Sequence, residues 1–182
     1  MTKSDPLPPV ERIYLVGLRG AGKTTVGRLV ASRLGWGFAD ADDEIETRAG
    51  RSIADLFDLV GVEGFRIRES EVLRELALLQ DHVIATGGGC VVRAENRDLL
   101  RTTGLTIWLT AEPRVLAERV ARDAGTPARR PPLTRPPGFT ELEHVARERE
   151  PLYRDVADWT IATDALSPEE VAAAIVSAWT SC

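Results

Sequence analysis

A glycine-rich segment near the amino terminus combines the residue types that bind polyphosphates. Residues 17–24 read G-L-R-G-A-G-K-T, which matches G-x-x-x-x-G-K-S/T, and an apolar run at 13–16 precedes them. The glycines let the backbone curl around a phosphate, and the following helix contributes its positive N-terminal end. Lys23 places a charge at the outer phosphates, and the hydroxyl of Thr24 suits Mg²⁺. This phosphate loop predicts a nucleoside triphosphate site but leaves the phosphate acceptor open.

Acidic residues follow the second predicted strand, which we place at residues 36–39. Asp40 and Asp42 would stand at the carboxyl end of that strand, the edge of a parallel sheet at which ligands bind. A structural interpretation competes, because Asp42 or Asp43 could cap the helix that Glu44 begins. We expect one aspartate to cap the helix and another to take part in the chemistry.

Two further segments admit both a structural and a functional interpretation. Arg66 lies close in sequence to Glu63, Glu69 and Glu71, so taken alone it favours a solvent-exposed helix face with ion pairs. The glycine triplet at residues 87–89 ends a predicted buried strand. There it either permits close approach to the backbone or forms a tight turn, and the triplet alone does not separate the two.

Residues 125–138 differ in composition from the rest of the chain. They contain five prolines and three arginines, with almost no apolar periodicity. A long connection of this kind inside a compact domain is usually functional or disordered. Because the segment is basic in an acidic protein, we predict a mobile lid, at about residues 125–139, that brings arginine to phosphate. A plain surface loop is the alternative.

The composition of the chain limits the number of domains, the partners and the cellular compartment that we expect for the protein. Its 182 residues, 43% of them hydrophobic, suit one domain at residues 11–182 behind a polar, proline-rich and disordered tail at residues 1–10. The net charge of −5 argues against nucleic acid or an anionic membrane as main partner. Two cysteines are too few for a disulfide framework, and no signal peptide or membrane-spanning segment is recognisable, so we expect a cytoplasmic protein. No apolar stripe remains once the helices pack, which favours a monomer.

Five strand candidates alternate with helices along the chain. The candidates are residues 13–16, 36–39, 82–86, 105–109 and 158–162. One helix is expected at residues 63–80, and Pro151 is expected to kink or restart another that begins at Phe139. The alternation predicts an α/β fold with a five-stranded parallel sheet, helices on both faces and the functional residues along one edge.

Taken in order, five motifs resemble those of the shikimate kinase family, from about Ile13 to Trp179. They are the phosphate loop, Asp40-x-Asp42, Phe65-Arg66, Gly87-Gly88-Gly89 and Arg149-x-Pro151-Leu152-Tyr153. The resemblance implies a three-layer sandwich of the P-loop NTPase type, like the nucleoside monophosphate kinases, with a lid. It also implies transfer of the γ-phosphoryl group of ATP to the 3-hydroxyl of shikimate, with Mg²⁺, on the route to the aromatic amino acids.

The resemblance assigns a role to each matched residue. Catalysis would fall to Lys23, Asp42 and Arg130. ATP would be bound by Gly20, Ala21, Gly22, Lys23, Thr24, Thr25, Arg122 and Arg130. Shikimate would be bound by Asp42, Phe57, Phe65, Arg66, Gly87, Gly88, Gly89 and Arg149, and Mg²⁺ by Thr24 and, through water, by Asp40. The two arginines of the shikimate set would hold the substrate's carboxylate, and Asp42 would hold the ring hydroxyls and accept a proton.

The lid departs from the family pattern. The family usually reads Arg-Pro-Leu-Leu in the lid, whereas here Arg130 precedes Pro-Pro-Leu, with Arg129 before it and Arg135 soon after. We assign the phosphate contact to Arg130. The loop near Thr163 is a second candidate for the adenine contact beside Arg122.

Other small-molecule kinases are the main rivals to this interpretation. A gluconate kinase or nucleoside monophosphate kinase would share the phosphate loop and lid, but would not require the glycine triplet together with Arg149-x-Pro-Leu-Tyr. A GTP-dependent switch is disfavoured, because the chain contains no Asn-Lys-x-Asp segment to read guanine.

Overall fold

The computed structural model describes residues 11–122 and 139–180. The predicted tail at residues 1–10 lies outside the described residues. The predicted lid does as well, except for the backbone of its last residue, and so do Arg129, Arg130 and Arg135. The helices and strands below therefore belong to the described ranges.

Five parallel strands form one sheet in the order β2-β3-β1-β4-β5. The strands are β1 Arg12–Val16, β2 Gly37–Asp40, β3 His82–Ala85, β4 Leu105–Thr110 and β5 Trp159–Ala162. The central strand shows why the apolar runs form strands here. Ile13, Tyr14, Leu15 and Val16 are all fully buried, as expected for a strand covered on both faces. The predicted parallel sheet is confirmed.

Seven α-helices flank the sheet within the described residues. They are α1 Lys23–Leu34, α2 Ala41–Ala49, α3 Ile53–Leu76, α4 Ala94–Thr103, α5 Pro113–Arg122, α6 Phe139–Val156 and α7 Pro168–Thr180. A short 3₁₀ helix spans Cys90–Val92. Helices α1 and α7 pack against each other, as do α4 and α6. In the described part of the chain, none of the helices combines the length and the apolar character needed to cross a membrane.

Helix α3 consists of two helical stretches joined at a kink. The backbone leaves the helical region at Gly61 (φ 68°, ψ 179°), a conformation that suits glycine, and the second stretch begins close to the predicted start at residue 63. The helix ends at Leu76 rather than at the predicted residue 80. The N–H groups of Leu78 and Leu79 bond three residues back, to Glu75 and Leu76, which closes the last turn.

Helix α6 runs through Pro151 as one element, so of the two expected outcomes, a kink or a restart, the restart does not occur. A proline removes one backbone donor from a helix, and tertiary packing can compensate for that loss. Here Tyr153 and Val156, just beyond the proline, are 1% and 2% exposed and anchor the last turn in the core. The helix therefore holds the Arg149-x-Pro-Leu-Tyr motif on one continuous element.

The strand order places the predicted site residues at one edge of the sheet. β1 lies between β3 and β4, and β2 pairs with the outer side of β3. The phosphate loop follows β1, Asp40 ends β2, and the glycine triplet lies just beyond β3. Because the strands are parallel, their carboxyl ends share one edge, which is where ligands of such folds bind.

Candidate active site

The phosphate loop adopts a backbone that only its glycines accommodate readily. Gly17, Gly20 and Gly22 have φ values of 142°, 83° and 90°. A Cβ on Gly17 would lie 2.3 Å from the carbonyl oxygen of Leu109, so a larger residue would also collide with β4. Gly22 is the N-cap of α1 and has no side chain to cap it, so the first N–H groups of the helix are available to phosphate oxygens.

Lys23 folds back over the phosphate loop. Its Nζ donates to the carbonyl oxygens of Gly17 and Leu18, at 2.9 Å each. These bonds hold the charge at the mouth of the loop, where outer phosphates of a nucleotide would lie. The position agrees with the expected role of Lys23.

Thr24 and Asp40 meet directly across the loop. The Thr24 hydroxyl donates to Asp40 Oδ2 at 2.6 Å, and Asp40 Oδ1 accepts the backbone N–H of Asp42 at 3.0 Å. Asp40 is therefore the N-cap of α2, which begins at Ala41. The expectation that Asp42 or Asp43 would cap a helix beginning at Glu44 is wrong, because the strand runs straight into the helix.

The Thr24–Asp40 pair fits a magnesium ion that is completed by a nucleotide. Burial raises the pKa of Asp40, and the hydrogen bond from Thr24 opposes that shift. No cluster of three or more His, Cys, Asp or Glu side chains suited to a metal occurs among the described residues. Mg²⁺ commonly takes one or two protein oxygens and fills its remaining positions with phosphate and water. A hydroxyl and a carboxylate beside a phosphate loop are the donors such a site needs.

A cavity of about 500 Å³ opens over the phosphate loop. Its lining includes Lys23 and Thr24 together with Asp40, Asp42 and Thr86. The Oδ1 atom of Asp42 is buried. The predicted proton acceptor thus faces the same space as the predicted phosphate-binding lysine.

Gly88 connects the phosphate loop to the helix that carries Arg149. A Cβ on Gly88 would lie 3.4 Å from the Gly17 carbonyl oxygen and 3.6 Å from the Arg19 nitrogen. On its other side, the Gly88 carbonyl accepts Arg149 Nη1 at 2.9 Å and the Tyr153 hydroxyl at 2.7 Å. The triplet forms a tight turn, in which the Cys90 N–H donates to the Gly87 carbonyl at 3.1 Å, and Gly88 also faces the phosphate loop, so both interpretations hold. The triplet also places Arg149 on the same edge of the sheet as Lys23.

Two phenylalanines of α3 stack on each other and are not among the described residues that line the cavity. The rings of Phe57 and Phe65 stack with centroids 4.3 Å apart at an interplanar angle of 25°. Phe65 is 5% exposed, and the half-buried Arg66 follows it directly. The structure thus brings the two predicted phenylalanines together.

The solvent-exposed, ion-paired face considered for this part of α3 holds for Glu63, which is exposed and pairs with Arg93 outside the helix. It is wrong for Glu69, which is only 2% exposed and whose Oε2 would lie 3.9 Å from a Cβ on Gly89. Burial raises the pKa of the Cys90 thiol well above its ordinary value, and the charges of Glu69 and Asp42 add to that shift. Glu69 therefore belongs to the interior beside the glycine triplet.

Arg119 lines the cavity, although no motif in the sequence predicts a functional role for it. Its Nη1 donates to Thr163 Oγ1 at 2.9 Å and its Nη2 to the Thr163 carbonyl at 2.6 Å. A longer contact of 3.5 Å reaches the Gly20 carbonyl of the phosphate loop. Arg119, Thr163 and Gly20 come together only in the fold, since 44 residues separate Arg119 from Thr163 and 99 separate it from Gly20. A local sequence pattern therefore cannot predict such a contact.

The predicted adenine contact Arg122 is not among the described residues that line the cavity. Its side chain is 79% exposed, and its Nη2 lies 3.6 Å from Glu118 Oε2. Thr163, the second adenine candidate, does line the cavity and is 3% exposed. The described residues therefore place the Thr163 loop, and not Arg122, against the nucleotide space.

A phosphate loop after the central strand of a parallel sheet, with Asp42 lining the same cavity as Lys23, is typical of a P-loop kinase that acts on a small molecule. A sequence model described as shikimate kinase matches residues 19–180. The chain belongs to the shikimate kinase family. Enzymes of this family are ATP-dependent kinases that phosphorylate a hydroxyl of shikimate and use Mg²⁺, so the expected family, fold, enzyme class and cofactors are confirmed.

The similarity to individual proteins extends over nearly the full chain. A shikimate kinase of Symbiobacterium thermophilum is 50% identical over 164 residues, which is 90% of this chain and 93% of that protein. A shikimate kinase of Rhodopirellula baltica is 43% identical over 175 residues, or 96% and 93%. The solved structure of shikimate kinase from Acinetobacter baumannii in complex with shikimate is 39% identical. It superposes with a TM-score of 0.88 over 95% of this chain and 94% of that one.

Proposed function

We propose that this chain transfers the γ-phosphoryl group of ATP to the 3-hydroxyl of shikimate, giving shikimate 3-phosphate and ADP. The observation that carries the proposal is the position of Gly88 between the phosphate loop and α6. A Cβ added to Gly88 would lie 3.4 Å from the Gly17 carbonyl oxygen of the phosphate loop, and the Gly88 carbonyl accepts a bond from Arg149. The cation assigned to the acceptor therefore lies beside the loop that would hold the phosphate.

Arg149 and Arg66 are the groups that we assign to the carboxylate of shikimate. A guanidinium presents five N–H donors, so the bond from Arg149 to Gly88 leaves further donors for an anion. The stacked rings of Phe57 and Phe65 would cover the apolar part of the cyclohexene ring. The set Phe57, Phe65, Arg66, Gly88 and Arg149 is called the acceptor site below.

Asp42 is the group that we assign to the proton of the attacking hydroxyl. The hydroxyl oxygen forms a bond to the γ-phosphorus, and the bond from that phosphorus to the β,γ-bridging oxygen breaks. The hydroxyl proton passes to Asp42, and the bridging oxygen leaves with ADP. Lys23 balances negative charge on the phosphates throughout. Thr24 and Asp40 would hold Mg²⁺, which supplies further positive charge to the phosphate oxygens.

The lid and the adenine contact remain proposals. Arg130 would reach the transferred phosphate when residues 125–139 close, and closure would exclude water from the reaction. Arg122 ends the described part of α5, directly before the lid segment, so it would turn toward adenine only in a closed state. Residues 11–182 would work as one kinase domain.

A monomer would suffice for this chemistry, because each proposed site residue comes from the same chain. Size-exclusion chromatography with light scattering tests the monomer directly. Action in the cytoplasm, within aromatic amino acid biosynthesis, is the setting that we propose for it.

A coupled assay of ADP release tests the proposed function. Shikimate, gluconate and nucleoside monophosphates are offered separately with ATP and Mg²⁺, and the phosphorylated position is read by NMR. We expect release with shikimate and phosphate on its 3-hydroxyl. Turnover of another acceptor, with none of shikimate, would end the proposal.

A further inference from the structure

Tyr153 closes the Arg149-x-Pro-Leu-Tyr motif, and the functional roles assigned so far do not use it. It lies one helical turn after Arg149 on α6, so the two side chains share a face of the helix. Both donate to the same atom, the carbonyl oxygen of Gly88, at 2.7 Å from Tyr153 and 2.9 Å from Arg149. One backbone carbonyl thus joins both ends of the motif.

The tyrosine is the rigid member of this pair. Its side chain is 1% exposed, and its ring stacks on Trp108 of β4 with centroids 5.6 Å apart at an angle of 17°. Arg149 is only half-buried and has a long, flexible side chain. A carbonyl oxygen has two lone pairs, and these two donors can occupy both. The Tyr153 hydroxyl therefore fixes the direction of the carbonyl on which Arg149 rests.

We propose that Tyr153 is a positioning residue for the phosphate acceptor. By holding the Gly88 carbonyl, it fixes Arg149 relative to the phosphate loop, because an added Cβ on Gly88 would lie only 3.4 Å from the Gly17 carbonyl oxygen. The carboxylate of shikimate is then held at a set distance from the phosphate to be transferred. This inference rests on the proposed function, in which Arg149 binds that carboxylate.

The competing explanation is that Tyr153 only adds a buried hydrogen bond to the core. The chain supplies a matched control, because its other tyrosine, Tyr14, is also buried and hydrogen-bonded. The Tyr14 hydroxyl pairs with Thr103 Oγ1 at 2.8 Å, at the C-terminal end of α4. In both cases removal of the hydroxyl leaves the partner bonded, Gly88 to Arg149 and Thr103 to Leu99. The two Tyr→Phe variants therefore lose comparable interactions at different places.

The experiment compares Tyr153→Phe with Tyr14→Phe. Phenylalanine keeps the ring of residue 153 on Trp108 and removes only the donor, so we expect a folded protein. Losing one hydrogen bond that orients the acceptor site should raise the KM and the calorimetric Kd of shikimate about three- to tenfold. The KM of ATP should stay within about twofold, and Tyr14→Phe should change neither constant. Equal shikimate constants in the two variants, at similar Tm, would overturn the inference.

A third variant separates this inference from the proposed function. Arg149→Lys keeps the charge and loses the planar fork, so it should weaken shikimate binding whether or not Tyr153 has a role. If Arg149→Lys weakens binding and Tyr153→Phe does not, only the inference about Tyr153 fails. If neither variant changes shikimate binding, the role proposed for Arg149 fails with it. In the double variant the two losses should be less than additive, because both act through Gly88.

Discussion

Replacing Arg119 with lysine tests whether the contacts beneath the nucleotide cavity serve binding. In the native protein the guanidinium spans two acceptors of Thr163, its hydroxyl at 2.9 Å and its carbonyl at 2.6 Å. A lysine keeps the positive charge but offers a single ammonium, which cannot reproduce that planar fork. The substitution therefore removes at least one of the two short bonds.

The size of the effect follows from the bond that is lost. A hydrogen bond from a charged donor contributes about 1.5–3 kcal/mol, and the 3.5 Å contact to Gly20 adds little at that length. Loss of one such bond corresponds to a factor of roughly 10 to 150 in an equilibrium constant. Arg119 joins α5 to the phosphate loop and to the Thr163 loop, which are two walls of the same cavity. We therefore expect the affinity for MgADP to fall about tenfold. The rest of the lost hydrogen-bond free energy should appear as a lower free energy of unfolding.

Isothermal titration of MgADP, without shikimate, measures the predicted loss. Arg114→Lys is the control, because Arg114 lies on the same helix, is 83% exposed and pairs only locally with Glu118 among the described residues. That control should bind MgADP normally. If Arg119→Lys binds MgADP with unchanged affinity while its Tm drops, the contacts stabilise the fold alone and the reasoning is refuted.

Three further predictions concern the acceptor, the proton and the last helix. Asp42→Asn keeps the shape of the side chain but removes the proton acceptor, so kcat should fall on the order of 10²-fold or more in steady-state assays. A near-normal kcat would mean that positioning alone suffices. Arg149→Ala should raise the KM of shikimate about tenfold or more, whereas Arg147→Ala, on the same helix with a 77% exposed side chain, should not. An unchanged KM for Arg149→Ala would show its role to be misassigned. The backbone N–H and then the hydroxyl of Ser167 lower the pKa of Glu170, so this carboxylate stabilises the folded chain above its ordinary pKa. The Tm deficit of Glu170→Gln should therefore vanish as the pH falls through the lowered pKa, and a deficit independent of pH would contradict this explanation.

The sheet could be predicted from the sequence because its strands are short apolar runs separated by helices. Each of the five predicted strands lies within two residues of the observed bounds. Helix caps form in the same local way, where side chain and backbone lie close in sequence. Ser52 accepts the N–H of Asp55, and Ser167 exchanges bonds with Glu170. Capping bonds of this kind depend only on residues that are neighbours in sequence.

The errors lie where distant contacts decide the outcome. Glu69 has the neighbours of an exposed helical glutamate, but it is buried against a glycine triplet about 20 residues further along the chain. Pro151 suggests a kink or a restart, and packing of the following turn excludes the restart. Asp40 could be assigned to the site by its position after a strand, but its capping of α2 depended on where that helix begins. Propensity describes the local preference, and tertiary packing overrides it at such positions.

The site was predictable in proportion to the specificity of its motifs. The phosphate loop determined Lys23 and Thr24 from sequence alone, because only a few residue types at fixed spacing can cradle phosphate. Arg149 needed the combined order of five motifs, since a single arginine in a charged helix carries no signal. Arg119 could not be found, because its partners lie on two other elements far along the chain.

A crystal structure of the protein with ADP, Mg²⁺ and shikimate is the most direct test of the proposed arrangement. We predict the shikimate carboxylate on Arg149 and Arg66, with a ring hydroxyl within hydrogen-bonding distance of Asp42 and facing the phosphate loop. Shikimate bound away from Gly88, or with its carboxylate toward Lys23, would contradict the account.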